Sequence, residues 1–535
     1  MDREYDGIIL GSGHNSLVLQ AYLCRAGLDV ICLERRDVAG GGLATIEDTR
    51  YPGFLHNTHS FYHRAITHMP WYRDLEIEHH GARYIEPALN VALVRENGEA
   101  LEWWTDFDRT LASFRRFSER DAQTLQRWRD RFLPIVEQIL IPEAQSPPIS
   151  DDERQRLLSR SEMGRLLLEV SAMSPLEFVQ REFENPVIQA GLLFFNGLRE
   201  VDLRCPGFGH HIAALLASTG KAQMCEGGSA ALARALVSSV KSFGGSVRLQ
   251  TTPRRILVES GRAVGVETAA GERIGARHFV ASGLNPHQTF IDLFEEDDLP
   301  KVWRDRAAQF EYNLIAPLFG LNLNLDAPLQ LDAAAANPDL EDAFMMILGL
   351  GDVNDYLTMV NAHVKGSQPP AIMWGSCPSK FDPSQAPEGK HTAFMWQKMP
   401  YQIDGDPANW DAIRDRVGCE MIDVMAQHAS GLRDSIIDHF VRSPLDVERT
   451  FPNMARGDLL IGAFTSGQIG YNRPFEGAGG YRGHVRGLYL CGSSSHPGGN
   501  VTGLPGYNCA QVVFADQGLP ADWAPDSVAD RLARL

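Results

Sequence analysis

The sequence lacks both an excess of positive charge and any apolar run long enough to cross a membrane. Its 535 residues contain 50 Lys and Arg against 68 Asp and Glu, which gives a formal net charge of −18. This balance repels a phosphate backbone, and no basic stripe offsets it, so we expect no nucleic-acid partner. A membrane helix needs about 18 or more consecutive apolar residues, and no segment approaches that length.

Cysteine is scarce and irregularly spaced. The eight cysteines include no Cys-x-x-Cys pair, which argues against a disulfide scaffold and a zinc cluster and favours a reducing compartment. Histidines gather at His56, His59, His63 and His68, but no partner ligand stands at a recognised metal-binding interval, so we expect no metal site. The acidic first residues lead straight into strand-like Ile8–Leu10. They predict a cytoplasmic protein without a signal peptide and leave peripheral membrane contact open.

Residues 5–34 have the clearest local organisation. A short apolar strand ends at Leu10 and runs into Gly11-x-Gly13, after which apolar residues at helical spacing predict a helix that Gly27 closes. Val30–Leu33 is typical of a second buried strand, and Glu34 stands at its tip. The glycines let backbone amides approach a pyrophosphate at the helix N-terminus, and the acid can accept hydrogen bonds from a ribose. This unit predicts a dinucleotide site.

A second glycine turn, Gly40–Gly42, follows shortly after Glu34. It would let the backbone pass close to the pyrophosphate and flavin side of an extended FAD, which a nicotinamide-only dehydrogenase does not need. Near the other end of the chain, residues 488–506 read LYLCGSSSHPGGNVTGLPG. On these motifs the sequence resembles the flavoproteins of the phytoene desaturase and amine oxidase superfamily. It is especially similar to the group called pyridine nucleotide-disulfide oxidoreductase domain-containing protein 2.

The resemblance implies a set of residues that hold FAD. Those expected at the pyrophosphate are Gly11, Gly13, His14, Asn15 and Ser16, with Glu34 and the adjacent Arg35 at the adenosine ribose. Gly41, Gly42 and Leu43 would lie by the diphosphate and ribityl chain, and Ser493, after Gly492, would stand where many relatives carry an acid. Asn500, Val501 and Thr502 would present N–H groups to the O2/N1 edge of the flavin. Pro253 takes the position whose amide usually pairs with adenine, although proline cannot donate.

Two histidines are candidate catalytic residues. His59 lies in a stretch that passes close to the isoalloxazine ring in the similar proteins, so a role in proton transfer is one interpretation. A loop or surface histidine is the alternative. His496 lies within the C-terminal motif and either takes part in catalysis or holds that loop by hydrogen bonds.

The fold class that we expect is α/β. A discontinuous Rossmann-like FAD-binding domain of the glutathione reductase type would comprise residues 1–70, 215–290 and 480–535. An α+β substrate-capping domain would comprise residues 71–214 and 291–479. Within the cap, Pro134 is expected to break or kink a helix over 118–141. Gly349-Leu-Gly351 resembles a second nucleotide loop, but no helix of the right pattern follows it and no acidic residue ends a second strand about 20 residues on. We therefore interpret it as a strand-to-turn junction and expect no NAD(P)H domain.

These features predict an FAD-dependent oxidoreductase that removes hydride from a C–H bond of an apolar or amphipathic small molecule. Oxygen, a quinone or a protein carrier would accept the electrons. Three alternatives stay open: a flavin-dependent amine oxidase, a redox-neutral polyene isomerase, and a non-catalytic interaction protein that carries a flavin. The sequence leaves the oligomeric state undetermined.

Overall fold

The computed structural model describes residues 3–195, 202–218 and 222–535. The strands are β1 (Arg3–Leu10), β2 (Val30–Leu33), β3 (Thr45–Glu47), β4 (Leu55–Asn57), β5 (His63–Arg64), β6 (Tyr84–Ile85), β7 (Leu89–Val94), β8 (Ala100–Trp104), β9 (Ala222–Cys225), β10 (Ser246–Arg248), β11 (Pro253–Glu259), β12 (Arg262–Thr268), β13 (Arg273–Ser282), β14 (Leu318–Leu325), β15 (Met345–Leu348), β16 (Met373–Ser376), β17 (His391–Lys398), β18 (Ile436–Arg442) and β19 (Leu488–Leu490).

The α-helices are α1 (His14–Arg25), α2 (Pro70–Asp74), α3 (Phe107–Phe117), α4 (Glu119–Ile135), α5 (Ile141–Ala144), α6 (Asp151–Leu158), α7 (Glu162–Ser171), α8 (Pro175–Glu182), α9 (Pro186–Phe195), α10 (His210–Leu216), α11 (Ser229–Ser242), α12 (Lys301–Ala308), α13 (Val353–Lys365), α14 (Trp410–His428), α15 (Leu432–Ser435), α16 (Pro444–Thr450), α17 (Leu504–Gln517) and α18 (Val528–Ala533). Among the described residues, none of the helices combines the length and the apolar character that a membrane span requires.

The first sheet has seven strands in the order β10-β2-β1-β13-β12-β11, with β19 also paired to β13. Strands β10, β2, β1, β13 and β19 are parallel, whereas β11 and β12 form an antiparallel hairpin. Helix α1 packs against both α11 and α17, and its residues from Asn15 to Cys24 are all buried. A mostly parallel sheet of buried apolar strands packed with helices is the arrangement of an α/β protein. It confirms the predicted α/β class with a Rossmann-like unit.

The second sheet has the order β18-β14-β17-β16-β15-β7-β8 and is antiparallel except for the pair β15 and β7. Side chains from β7 and β8 share one apolar core with helices between α3 and α10. The strands of the two sheets fall in the two sets of segments assigned above to the FAD-binding and cap domains. The exact domain boundaries stay a prediction.

Two expectations for the cap concern its helices. Helix α4 includes Pro134 but ends one residue later, at Ile135, where a π-helical turn over Val136–Leu140 begins. The regular α-helix over 118–141 is therefore interrupted next to the proline, as expected. The buried side chains of Phe132, Ile135 and Ile139 anchor this stretch in the core, and that packing offsets the hydrogen bond that proline cannot make.

A helix, α13, does follow Gly349-Leu-Gly351. The Asp352 side chain accepts a hydrogen bond from the amide of Asn354, and Asp355 accepts from the amides of Gly351 and Asp352. Two carboxylates therefore occupy the N-terminus of α13, and their charge makes it unsuited to a phosphate.

Candidate cofactor and substrate site

The parallel strands of the first sheet end together at one edge. Gly11, Glu34, Gly283 and Gly492 each follow or stand close after the last residue of β1, β2, β13 and β19, respectively. In open parallel sheets the ligand crevice lies outside these carboxyl ends. The edge is therefore the candidate nucleotide site.

The turn between β1 and α1 leaves the start of the helix free for a ligand. Gly11 has a φ of +82°, and its amide donates to the carbonyl of Leu33 at 2.8 Å. Gly13 is the N-cap of α1, and no side chain caps the helix. The first amides of α1 can therefore donate to an anion, and His14, Asn15 and Ser16 line a cavity at this point.

The second glycine turn lies against the first. The amide of Gly40 donates to the carbonyl of Ser12 at 2.9 Å. Gly41 has a φ of +57°, and a Cβ there would lie 3.2 Å from the Cα of Gly13. Gly41 and Gly42 line the cavity, whereas Leu43 is buried beside it. The two turns thus form one wall, and glycine is required because the backbones approach so closely.

Glu34 fixes the first turn. Its carboxylate accepts hydrogen bonds from the amide of Ser12 at 2.9 Å, the hydroxyl of Ser12 at 2.8 Å and the amide of Arg36 at 2.9 Å. The exposed Arg35 does not line the cavity and donates to the carbonyl of Thr450 at 2.6 Å. Pro253 begins β11, close after Thr251, whose amide donates to the carbonyl of Glu34 at 2.7 Å. Pro253 therefore lies at the Glu34 end of the site.

The C-terminal motif lies across from α1. Asn15 donates through Nδ2 to the Ser493 hydroxyl at 3.1 Å, and His14 Nε2 lies 3.1 Å from the carbonyl of Asn500. Burial lowers the pKa of His14 to about 4. Gly492, Ser493, Asn500 and Val501 line the cavity. The amide of Thr502 donates to the Asn500 carbonyl at 2.9 Å, so it is engaged within the loop.

The two candidate catalytic histidines have different surroundings. His59 lines the cavity. Its Nδ1 lies 2.8 Å from the Thr58 hydroxyl, and its buried Nε2 has no hydrogen-bond partner among the described residues. Burial, reinforced by Arg442 and Arg36, holds the pKa of His59 well below its usual value. His496 does not line the cavity; its Nε2 lies 2.9 Å from the carbonyl of Glu143, which favours the loop-holding interpretation.

One cavity of about 410 Å³ joins these turns to an aromatic chamber in the cap. Apolar side chains dominate the chamber, among them Phe61, Tyr62, Trp103, Trp104, Phe107, Phe194, Leu318, Met345, Trp374 and Trp396. Its basic side chains are Arg64, Arg129 and Lys398, and no described Asp or Glu lines the cavity. A ligand at the nucleotide turns and a small molecule in the chamber would therefore share one cavity.

Sequence reasoning missed the segment after α16. Phe451, Asn453 and Met454 line the cavity next to the glycine turns. Asn453 accepts from the amide of Asn285 at 2.5 Å and donates to the carbonyl of Gly283 at 3.3 Å. The Arg36 guanidinium lies 4.4 Å from the centre of the Phe451 ring. No motif marks these residues, because they come from the cap and reach the site only in the folded chain.

Comparison with known proteins agrees with this geometry. The family model for NAD(P)-binding Rossmann-like domains matches residues 9–75. A limonene dehydrogenase chain of Castellaniella defragrans is 29% identical over 543 residues, covering 98% of this chain and 97% of the relative. The rat (Rattus norvegicus) pyridine nucleotide-disulfide oxidoreductase domain-containing protein 2 is 29% identical over 554 residues, covering 96% and 94%. The chain is a homologue of these oxidoreductases.

Homology over the whole chain confirms the resemblance stated from the sequence motifs and the predicted oxidoreductase class. Among solved structures, cyclohexylamine oxidase from Brevibacterium oxydans IH-35A superposes with a TM-score of 0.60 at 12% identity, covering 96% of this chain and 99% of that one. At this identity the likeness concerns the fold alone. The oxidoreductase homologues and the Rossmann-like segment together indicate a flavin or nucleotide cofactor.

Proposed function

We propose that this protein is an FAD-dependent oxidoreductase that removes hydride from a C–H bond of an apolar or amphipathic small molecule. The observation that carries the proposal is the single cavity that joins the nucleotide turns to the aromatic chamber. A site that bound only an extended dinucleotide would not need the chamber, and a site that bound only a small apolar molecule would not need the nucleotide turns. The presence of both in one cavity supports a cofactor and a substrate bound side by side.

The residues at the sheet edge suit FAD. The N-terminus of α1 is buried and uncapped by any side chain, so its amides can donate to a pyrophosphate. Asn15 Oδ1 and His59 Nε2 are buried and have no hydrogen-bond partner among the described residues. Buried polar atoms are normally satisfied, and a polar ligand in the cavity would satisfy both. When bound, FAD would supply a hydride acceptor.

The chamber's own residues would dehydrate and orient the substrate. Trp374 and Trp396 lie on the neighbouring strands β16 and β17, with ring centres 6.1 Å apart. Phe194 stands edge-on to Trp374 at 5.6 Å. Rigid aromatic walls exclude water and limit the orientations of an apolar molecule, and such positioning accounts for much of catalysis when a cofactor supplies the chemistry.

The lining favours a neutral substrate over a cationic amine. The basic side chains in the chamber, together with the lack of described carboxylates in the lining, make it unfavourable for a cationic amine. A neutral hydrocarbon or alcohol meets no such penalty. The relative named as a limonene dehydrogenase makes limonene the first hydrocarbon to test.

The test uses the FAD-loaded protein, mixed without oxygen with limonene, perillyl alcohol or cyclohexylamine while the visible flavin absorbance is followed. We expect bleaching by the hydrocarbon or the alcohol. Bleaching by the amine alone would establish an amine oxidase instead. Isomerised substrate without bleaching would establish an isomerase, and the lack of any reaction across a wider panel would favour a non-catalytic protein.

A matched pair of variants ties the reaction to the chamber. Leu318→Trp fills space in the lining of the cavity and is expected to suppress bleaching while FAD stays bound. Leu249→Trp adds the same side chain at a surface position that is 39% exposed and should react like the wild type. Equal rates in the two variants would place the reaction elsewhere.

A further inference from the structure

Two arginines of the chamber have no acidic partner among the described residues. Arg64 ends strand β5 and lines the cavity, and its buried Nε has no hydrogen-bond partner in the described part of the chain. Arg129, on α4, is half-buried and lies with its guanidinium carbon 4.0 Å from the centre of the Phe107 ring. Neither forms an ion pair with a described carboxylate.

A chain of contacts connects the segments that carry the two arginines, and we call this part of the cavity lining the Arg64–Arg129 wall. Arg64 pairs with Ala222 of β9, and the amide of Ala222 donates to Asn90 Oδ1 at 2.7 Å. Asn90 in turn donates through Nδ2 to the Thr105 hydroxyl at 2.9 Å. Thr105 stands two residues before Phe107, on which Arg129 stacks. Arg64, Asn90, Thr105, Phe107 and Arg129 all line the cavity.

This wall differs from the remainder of the chain in charge. The protein carries a net charge of −18, so its overall field does not attract anions. Inside the chamber the sign is reversed, because the described lining has arginines and no carboxylate. A guanidinium that is partly withdrawn from water without a counter-charge is costly, and an anionic ligand removes that cost.

We propose that the substrate carries an anionic group on an otherwise apolar body, and that Arg64 and Arg129 bind this group. The inference rests on the proposed function and adds that, among the apolar and amphipathic substrates, acids bind more tightly than neutral hydrocarbons or alcohols of similar size. A guanidinium presents a planar set of N–H donors that matches a carboxylate or phosphate. The aromatic walls would hold the apolar body, and the Arg64–Arg129 wall would fix which of its carbons lies toward the nucleotide turns.

The experiment measures binding to the FAD-loaded protein by calorimetry, without turnover. Octanoate and octan-1-ol have the same chain length and bury similar apolar surface. The ratio of their Kd values therefore measures how much the anionic group contributes to affinity. A hydrogen-bonded charge typically improves affinity by about tenfold or more, and we expect octanoate to bind more tightly by at least that factor. Octyl phosphate, run in parallel, distinguishes a carboxylate site from a phosphate site, and preference for either anion over the alcohol supports the proposal.

Variants assign the effect to the two arginines. In the double variant Arg64→Met/Arg129→Met the preference for octanoate should fall to about threefold or less. The control is Arg131→Met on the same helix, an exposed arginine stacked 5.0 Å from the Trp128 ring and outside the cavity lining; it should keep the full preference.

Three results would overturn the proposal. They are equal affinity for octanoate and octan-1-ol in the wild type, an unchanged preference in the double variant, and loss of FAD from Arg64→Met, which would assign that arginine to the cofactor. Failure of the proposed function would look different, because it would appear as absent flavin or absent bleaching whatever the anion preference.

Discussion

Replacing Glu34 by Gln tests the nucleotide site with the smallest change in shape. The carboxylate is 7% exposed and accepts three hydrogen bonds, two from Ser12 and one from the amide of Arg36. Gln keeps one acceptor oxygen and turns the other into a donor, so at least one of these donors loses its partner. Hydrogen bonds to charged groups are worth about 1.5–3 kcal/mol. We expect the free energy of unfolding of the FAD-free protein to fall by about that amount.

The same change should weaken FAD binding. A neutral amide accepts fewer hydrogen bonds from the ribose hydroxyls, so the Kd of FAD is expected to rise by about 10- to 150-fold. Flavin fluorescence during titration of the FAD-free protein measures this Kd, and urea unfolding measures the stability. Glu259→Gln, at an exposed position that ends β11 in the same sheet, is the control. If Glu34→Gln lost stability but bound FAD within about twofold of the wild type, Glu34 would be only a structural residue and the ribose assignment would be refuted.

Three further outcomes are expected. In Gly506→Ala the new Cβ would lie 1.9 Å from a carbonyl oxygen of α1, so α1 and α17 must separate; urea unfolding should show a loss of about 1–3 kcal/mol or more, whereas Gly431→Ala, with nothing within 4 Å, should show none. Burial lowers the pKa of His56 to about 4 and of His63 to about 3. The unfolded chain therefore binds more protons below pH 6.5, and the free energy of unfolding measured in urea should fall between pH 7 and pH 5, by about 2 kcal/mol for each histidine; a flat profile would contradict this. His59→Phe is expected to slow flavin bleaching about 10²-fold or more. The shape of the pH–rate profile between about pH 6 and pH 8 should not change, because a neutral imidazole does not titrate there. A limb near pH 6.5 in the wild type that the variant lacks would show instead that His59 titrates in this range.

The nucleotide turns could be predicted from the sequence because each is local. Gly11, Gly13 and Glu34 lie on one strand–helix–strand unit, and their spacing alone brings them to the carboxyl edge of the sheet. The hairpin of β11 and β12 is local in the same sense. Where a motif and its fold share one short segment, residue spacing determines geometry.

The chamber could not be predicted because its wall is assembled from distant segments. Arg64 and Arg129 are separated by 65 positions, and the wall between them uses residues of β7 and the start of α3. The same holds for Asn453, which meets Gly283 across 170 positions. Aromatic residues with helix or strand spacing predict burial equally well in a core and in a substrate site, so the sequence alone could not separate the two.

On the proposed function, the lining of the cavity also bears on which group could accept a proton from the substrate. Removing hydride from carbon leaves positive charge on the substrate, and a C–H bond next to that charge becomes strongly acidic. A weak base is then sufficient to complete a desaturation. His59 has this character, because burial holds its pKa well below the usual range and keeps it neutral, and its Nε2 is left without a partner among the described residues of the cavity wall. A stronger base, such as an unpaired carboxylate, would attract cationic substrates, whereas we propose that the Arg64–Arg129 wall disfavours them. On the proposed function, the same lining would supply a weak base and disfavour amines.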